Sequence, residues 1–191
     1  MTMERPTKKE AEEAVKTLLR YIGEDTKREG MKDTPARVVK SYDELFSGYK
    51  VKVDEILSTR FYDISNFNDI VLLKSINFSS SCEHHMLPFT GFVDIAYLPD
   101  GFVVGISKIA RLVDAYSKRL QIQEKMTANI AEALDEHLKP LGVAVRISAS
   151  HSCMTSRGTM KGGSVLESSH FTGVFKDKPE YRQEFWQMVR G

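Results

Sequence analysis

Gly91-Phe92-Val93-Asp94-Ile95-Ala96-Tyr97-Leu98, then Pro99-Asp100-Gly101, then Phe102-Val103-Val104-Gly105-Ile106, is the stretch on which the fold turns. It reads as a strand, a hairpin turn and a second strand. Upstream, Ile70 to Phe78 reads as another strand. Downstream, Ser107 is placed to cap a helix whose inner face is Ile109, Leu112, Val113 and Tyr116. A further helix covers roughly Lys125 to Leu138, with Met126, Ile130, Ala133 and Leu134 inward. Val143 to Ala149 alternates as a strand, Phe171 to Phe175 reads as a last strand, and Tyr181 to Val189 reads as a helix. Strands in hairpins with helices between them predict an α+β fold on an antiparallel sheet.

The N-terminal quarter has a different period. Thr7-Lys8-Lys9-Glu10 forms a capping box, and Val15, Leu18, Leu19 and Ile22 follow at helical spacing. After a polar loop, Thr34-Pro35 supplies an N-cap with proline in the first turn. Val38, Val39, Tyr42, Leu45 and Phe46 make the stripe of that second helix, which Gly48 ends. Residues 1–50 are therefore expected as a helical pair and 51–191 as the sheet-bearing domain, the two in one structural unit. Residues 51–68 carry no clear pattern, and 158–163 read as flexible.

Bulk properties narrow the function. The 191 residues are 41% hydrophobic and 28% charged, ordinary for a soluble globular protein. Lys+Arg 27 against Asp+Glu 26 leaves a net charge of +1, which argues against general nucleic-acid binding. No apolar run is long enough to span a bilayer, and Met1–Pro6 lacks the apolar core of a signal peptide, so a cytoplasmic protein is expected. In that setting two distant cysteines are ligands, reactive thiols or core residues rather than a disulfide framework.

The cysteines carry the chemistry. Cys82 opens Cys82-Glu83-His84-His85, and Cys153 lies in His151-Ser152-Cys153-Met154-Thr155-Ser156-Arg157-Gly158. Two thiolates and one imidazole make a zinc site with three protein ligands and a free fourth position, the mark of a catalytic zinc. Cys82 and His85 are close enough for a tight turn to aim both at one ion. The adjacent His84 and His85 should diverge, so that one binds metal and the other is free for proton transfer. The competing reading is two buried core cysteines and surface histidines, and for either cysteine alone it is the better one. Both cysteines lying beside histidine tips the balance toward a metal.

Ser107-Lys108-x-x-Arg111 falls at a predicted helix start, where unpaired N–H groups and formal charge suit a phosphate. Without the neighbouring motifs it would read as a capped helix with solvated basic residues. Glu124, taken alone, is a carboxylate favoured by a helix dipole.

Ser81-Cys82-Glu83-His84-His85-Met86-Leu87-Pro88-Phe89 resembles the signature of the GTP cyclohydrolase I family. So do Ile95-Ala96-Tyr97-Leu98-Pro99, Gly105-Ile106-Ser107-Lys108-Ile109-Ala110-Arg111, Arg119-Leu120-Gln121-Ile122-Gln123-Glu124, and His151-Ser152-Cys153-Met154 with Arg157-Gly158. The resemblance runs in order from about Thr34 to Phe175. It implies zinc on Cys82, His85 and Cys153, one ion per subunit. It implies guanine bound by Glu124 and framed by Gln123, and a triphosphate held by Ser107, Lys108, Arg111 and Arg157, with Arg37 reaching in from an adjacent subunit. The implied reaction is hydrolytic opening of the imidazole ring of GTP, release of formate, Amadori rearrangement and closure to 7,8-dihydroneopterin triphosphate. His84 is expected as general acid, His151 near the ribose, and Ser107 in later proton transfers.

The implied fold is the tunnelling fold: an antiparallel sheet with two helices on one face, preceded by the helical pair. Subunits joined edge to edge would form rings, two pentamers making a homodecamer. The run Gly162–His170 departs from the Thr/Ser-rich stretch usual in the family, and no contact is carried over to Lys161 or His170. Two alternatives compete: a nitrile reductase of the same fold with a cysteine nucleophile, which needs neither the metal triad nor a triphosphate pocket, and a noncatalytic zinc-stabilised module, which has no use for Glu124, Lys108 and Arg111 together.

Overall fold

A computed structural model describes residues 5–191. The first four residues of the Met1–Pro6 reading lie outside the described residues. The chain divides into two compact units, one ending at Ser47 and one spanning Gly48–Gly191.

In the first unit α1 (Lys8–Tyr21) starts from the expected capping box: the Thr7 N–H donates to Glu10 Oε2 at 2.7 Å and the Glu10 N–H to Thr7 Oγ1 at 3.3 Å. The partner helix α2 (Thr34–Leu45) has Asp33, not Thr34, as its N-cap, so Thr34 and Pro35 open the helix itself. It closes at Phe46, before Gly48. No residue of α1 is buried, and Leu18 and Ile22 are 64% and 71% exposed.

The second unit runs α3 (Val53–Ile56), β1 (Arg60–Phe61), β2 (Val71–Cys82), β3 (Pro88–Leu98), β4 (Val103–Val104), α4 (Ile106–Ser117), β5 (Leu120–Gln121), α5 (Gln123–Leu138), β6 (Gly142–His151), α6 (Ser152–Thr155), β7 (Leu166–Phe171), α7 (Gly173–Asp177) and α8 (Pro179–Arg190). The main sheet has the order β5-β2-β3-β6-β7, antiparallel throughout except for the two-residue parallel pairing of β5 with β2. One face carries α4 and α5 over Phe78, Phe89, Val93, Ile95, Val145 and Ile147, the arrangement the sequence leads one to expect. The other face is partly covered too: Phe175 and Phe185, from α7 and α8, close over Ile70, Ala96, Leu98 and Ala144. No helix among the described residues is long and apolar enough to cross a membrane.

Three expectations are corrected. Pro99-Asp100-Gly101 does not join a hairpin, because Val103-Val104 pairs with Arg60-Phe61 in a separate two-stranded sheet. Ser107 is not a cap: Gly105 is the N-cap and Ser107 lies within the first turn of α4. The last strand is Leu166–Phe171, and Gly173–Asp177, which overlaps the second half of the expected strand, is helical.

A β-bulge interrupts β2. Lys74 and Ser75 together oppose Asp94, between the pairs Leu73↔Ile95 and Ile76↔Val93. Ser75 takes a left-handed φ of 58°, and its N–H donates to Asp94 Oδ1 at 2.8 Å. Asp94 is buried and held by Arg146 at 2.7 Å, which also holds Glu167 at 2.7 Å. Because of the extra residue, odd positions of β2 face the α4–α5 side before the bulge, and Ile76, Phe78 and Cys82 face it afterwards.

Candidate active site

The site lies at one end of the helix-covered sheet face, where β2, β3 and β6 end together and α5 begins. Beyond Cys82 the chain folds back tightly: the Met86 N–H donates to Cys82 O at 2.8 Å and the Cys82 N–H to Leu87 O at 2.8 Å. Met86 takes the left-handed conformation, φ 54°, that such a reversal requires. The Glu83 N–H donates to Gln121 O at 3.0 Å, tying the turn to β5. Cys82 itself is buried. Cys153 arrives from the far end of β6 on the single turn of α6.

The ligand atoms of Cys82, His85 and Cys153 all lie within 4.8 Å of one another. Residues separated by about half of the second unit's sequence thus form one group that can hold a metal ion. The donor set fits: soft sulfur with imidazole is the combination that favours zinc. Burial, and then the neighbouring Cys82, push the Cys153 thiol above its ordinary range. A divalent cation would reverse that preference by stabilising both thiolates. Only His85 of the adjacent pair belongs to the group, although His84 Nδ1 also lies 3.9 Å from Cys82 Sγ, the same distance as His85 Nδ1. The two imidazole rings are 6.3 Å apart and nearly perpendicular, and His84 is exposed with Glu83 Oε1 4.0 Å from its Nε2.

A cavity of about 330 Å³ opens beside this group, and Cys82, His84, Glu124, His151, Cys153 and Leu166 are among its lining residues. Glu124 stands exposed in the first turn of α5, where the helix dipole favours a carboxylate. The His151 ring stacks on Phe89, centroids 4.6 Å apart and planes 2° from parallel, and its Nε2 meets Gln123 Oε1 at 2.9 Å. Burial lowers the His151 pKa, against a smaller upward pull from Glu124.

Gln123 and the neighbouring Ile122, expected to frame a bound base, both line this cavity. Gln123 is fully buried, and its amide nitrogen donates to Ile147 O, Leu166 O and Ser168 Oγ at 3.0–3.1 Å. Ser107, Lys108 and Arg111 follow one another on α4, and Arg157 comes after α6; none of the four lines the cavity. Arg37 belongs to the other compact unit, exposed on α2 with Asp33 at 3.4 Å.

The sequence model of the GTP cyclohydrolase I family matches residues 11–190. The chain belongs to the GTP cyclohydrolase I family. Curated relatives agree along nearly the whole length. The GTP cyclohydrolase 1 of Rickettsia felis is 62% identical over 187 residues, 98% of each chain. That of Rickettsia bellii is 60% identical over 189 residues, 99% of this chain and 98% of the relative. A solved structure, the archaeosine synthase QueF-Like in the apo form, is similar over 55% of this chain and 93% of that one, with 22% identity and a TM-score of 0.46.

Sequence reasoning missed three residues of this GTP cyclohydrolase I site. Phe89 was inside the quoted signature with no role, and it is the stacking platform of His151. Thr127 and Ser168 are the others, 2.7 Å apart behind Gln123. A signal did exist for Thr127: Gln123 and Thr127 are polar residues four apart on the inner face of α5, among Met126, Ile130 and Leu134. Buried polar side chains in that position must satisfy one another.

Proposed function

We propose that this chain opens the imidazole ring of GTP, releases its carbon 8 as formate, and recloses the product to 7,8-dihydroneopterin triphosphate. The observation that carries the reading is the grouping of Cys82, His85 and Cys153 beside a cavity that Cys82, Cys153, Glu124 and His151 line. Family membership supports it, the match covering residues 11–190.

Cys82, His85 and Cys153 would hold a zinc ion, which when bound supplies a Lewis acid able to activate water near neutral pH. The rest falls to side chains. Glu124 accepts two hydrogen bonds from the guanine ring N–H and exocyclic amine, a pattern adenine cannot offer. His84, exposed at the cavity wall, delivers a proton to the ring nitrogen next to carbon 8 as the ring opens. His151 serves proton transfers at the ribose during the rearrangement, with Ser107 assisting.

Lys108, Arg111 and Arg157 take the triphosphate as charge-assisted contacts, Ser107 adds a hydroxyl, and Arg37 contributes from a neighbouring subunit. That reading requires an oligomer, here a decamer of two pentameric rings. Two observations support association. Apart from its two-residue pairing with β5, the outer edge of β2 is open among the described residues, and Leu18 and Tyr21 of α1 are exposed. A cytoplasmic location completes the proposal.

The test is the zinc-loaded protein with GTP alone, read by released formate and by pterin fluorescence after oxidation. Both signals, abolished by a chelator, are expected. Formate without pterin would confine the activity to ring opening, and neither signal with zinc bound would overturn the reading.

A further inference from the structure

The contacts behind His151 form a chain of hydrogen bonds whose direction can be worked out atom by atom. Thr127 Oγ1 lies 2.7 Å from the carbonyl oxygen of Gln123, which can only accept, so the Thr127 hydroxyl hydrogen is committed there. Thr127 Oγ1 is also 2.7 Å from Ser168 Oγ, and with its own hydrogen used it must accept, so Ser168 donates. Ser168 Oγ is then left only lone pairs toward Gln123, 3.1 Å away. The remaining neighbours on that side of the Gln123 amide are the carbonyl oxygens of Ile147 and Leu166, at 3.1 and 3.0 Å. All three neighbours are acceptors. The amide must therefore present its NH2 to them, since the flipped amide would set oxygen against three oxygens in a fully buried place.

That fixes the other end. Gln123 Oε1 faces His151 Nε2 at 2.9 Å and can only accept, so Nε2 must carry the hydrogen. The neutral ring is left with one lone pair, on Nδ1. Stacking on Phe89 at 4.6 Å fixes the ring plane.

We propose that Gln123 is a positioning residue that holds His151 as its Nε2–H tautomer, so that His151 exchanges protons through Nδ1 alone. Thr127 and Ser168 set the polarity of Gln123 and act at one further remove. The kinetic consequence rests on the reading of the site as a GTP cyclohydrolase; the tautomer does not.

The test uses the full zinc-loaded protein labelled with 15N-histidine, the His151 signals being assigned by comparison with His151→Asn. Nitrogen shifts in the substrate-free protein, with the ring neutral, should show a protonated Nε2 and a bare Nδ1. Gln123→Met should bring in the second tautomer. With GTP the same variant should lose roughly ten- to a hundredfold in kcat, with KM within about twofold and zinc retained, as expected for a hydrogen bond that orients a reacting group. The pair Thr127→Val and Thr127→Ser covers the case in which Gln123→Met does not fold: valine should disturb the tautomer and kcat, and serine should restore both.

A protonated Nδ1 in the parent protein overturns the proposal. So does a tautomer indifferent to both Gln123→Met and Thr127→Val. A rise in KM with kcat and tautomer unchanged would make Gln123 a base contact instead. If the tautomer behaves as described but no variant or parent turns over GTP, the functional reading fails and the positioning role stands.

Discussion

At the residue scale, the metal group and Glu124 make separable demands. Cys82→Ser or Cys153→Ser replaces a soft thiolate with a poorly ligating hydroxyl, and each is expected to lose bound zinc together with formate release by about a hundredfold or more. Metal analysis beside the formate assay checks this, and full zinc with full turnover in either variant would sink the ligand assignment. Glu124→Gln keeps size but removes charge and one acceptor. It should raise KM for GTP by roughly ten- to a hundredfold, the loss of a charge-assisted hydrogen bond of about 1.5–3 kcal/mol, and leave zinc content alone. Much of this group was legible in sequence, because Cys82 and Cys153 each sit beside histidine. Phe89 and Ser168 were not, because a stacking platform and a buried hydroxyl acquire meaning only from what they face.

At the scale of elements, the bulge in β2 is held by one carboxylate serving two partners. Asp94 accepts from the Ser75 N–H and pairs with Arg146, with only 5% of its side chain exposed. Asp94→Ala should cost about 2 kcal/mol in urea unfolding, since it leaves the Ser75 N–H without its acceptor and takes one of two carboxylates from Arg146, which keeps Glu167. The outer partner, Glu167, behaves differently. Its hydrogen bond with Arg146 holds its carboxyl below the ordinary range. Its contribution is therefore present above the unfolded pKa and is lost as pH falls through the folded one. Glu167→Gln should lower stability slightly at neutral pH and converge with the parent in acid, flattening the acid side of the stability curve, which denaturation across pH will show. The main strands and both covering helices could be read from their periods. What escaped has local causes: Lys74 and Ser75 break the alternation of β2, and polar Glu167, Ser168 and Ser169 disguise β7. Val103-Val104 looked like a hairpin partner because its true partner, Arg60-Phe61, sits in a stretch with no pattern of its own.

At the scale of the whole molecule, the proposed assembly makes a prediction that a monomeric enzyme cannot meet. Arg37→Ala and Glu124→Gln subunits would each form damaged sites if all sites are built from two chains. Unfolding and reassembling a mixture of the two should recover part of the activity, because some interfaces then pair an intact Arg37 with an intact Glu124. No gain over the separate variants, with mixed oligomers shown to form, would remove Arg37 from the site. The sequence reading ends the helical pair at residue 50, and the first compact unit ends at Ser47. The C-terminal cover of the second sheet face was not legible, since a helix read from sequence does not say which face it lies on.

The bulge also has a bearing on how this chain can change length. Pairing partners on either side of it are already in phase, so one residue at Lys74–Ser75 is surplus to the ladder. Removing Lys74 would leave an uninterrupted strand with Ile76 still opposite Val93 and Cys82 still at its post. Removing Asn77 instead would force a choice between turning Cys82 away from the helices and turning Ile76 outward. The strand thus contains one position that works as an expansion joint. Insertions and deletions accepted during divergence should gather there and avoid the seven residues that lead from Ile76 to the metal ligand.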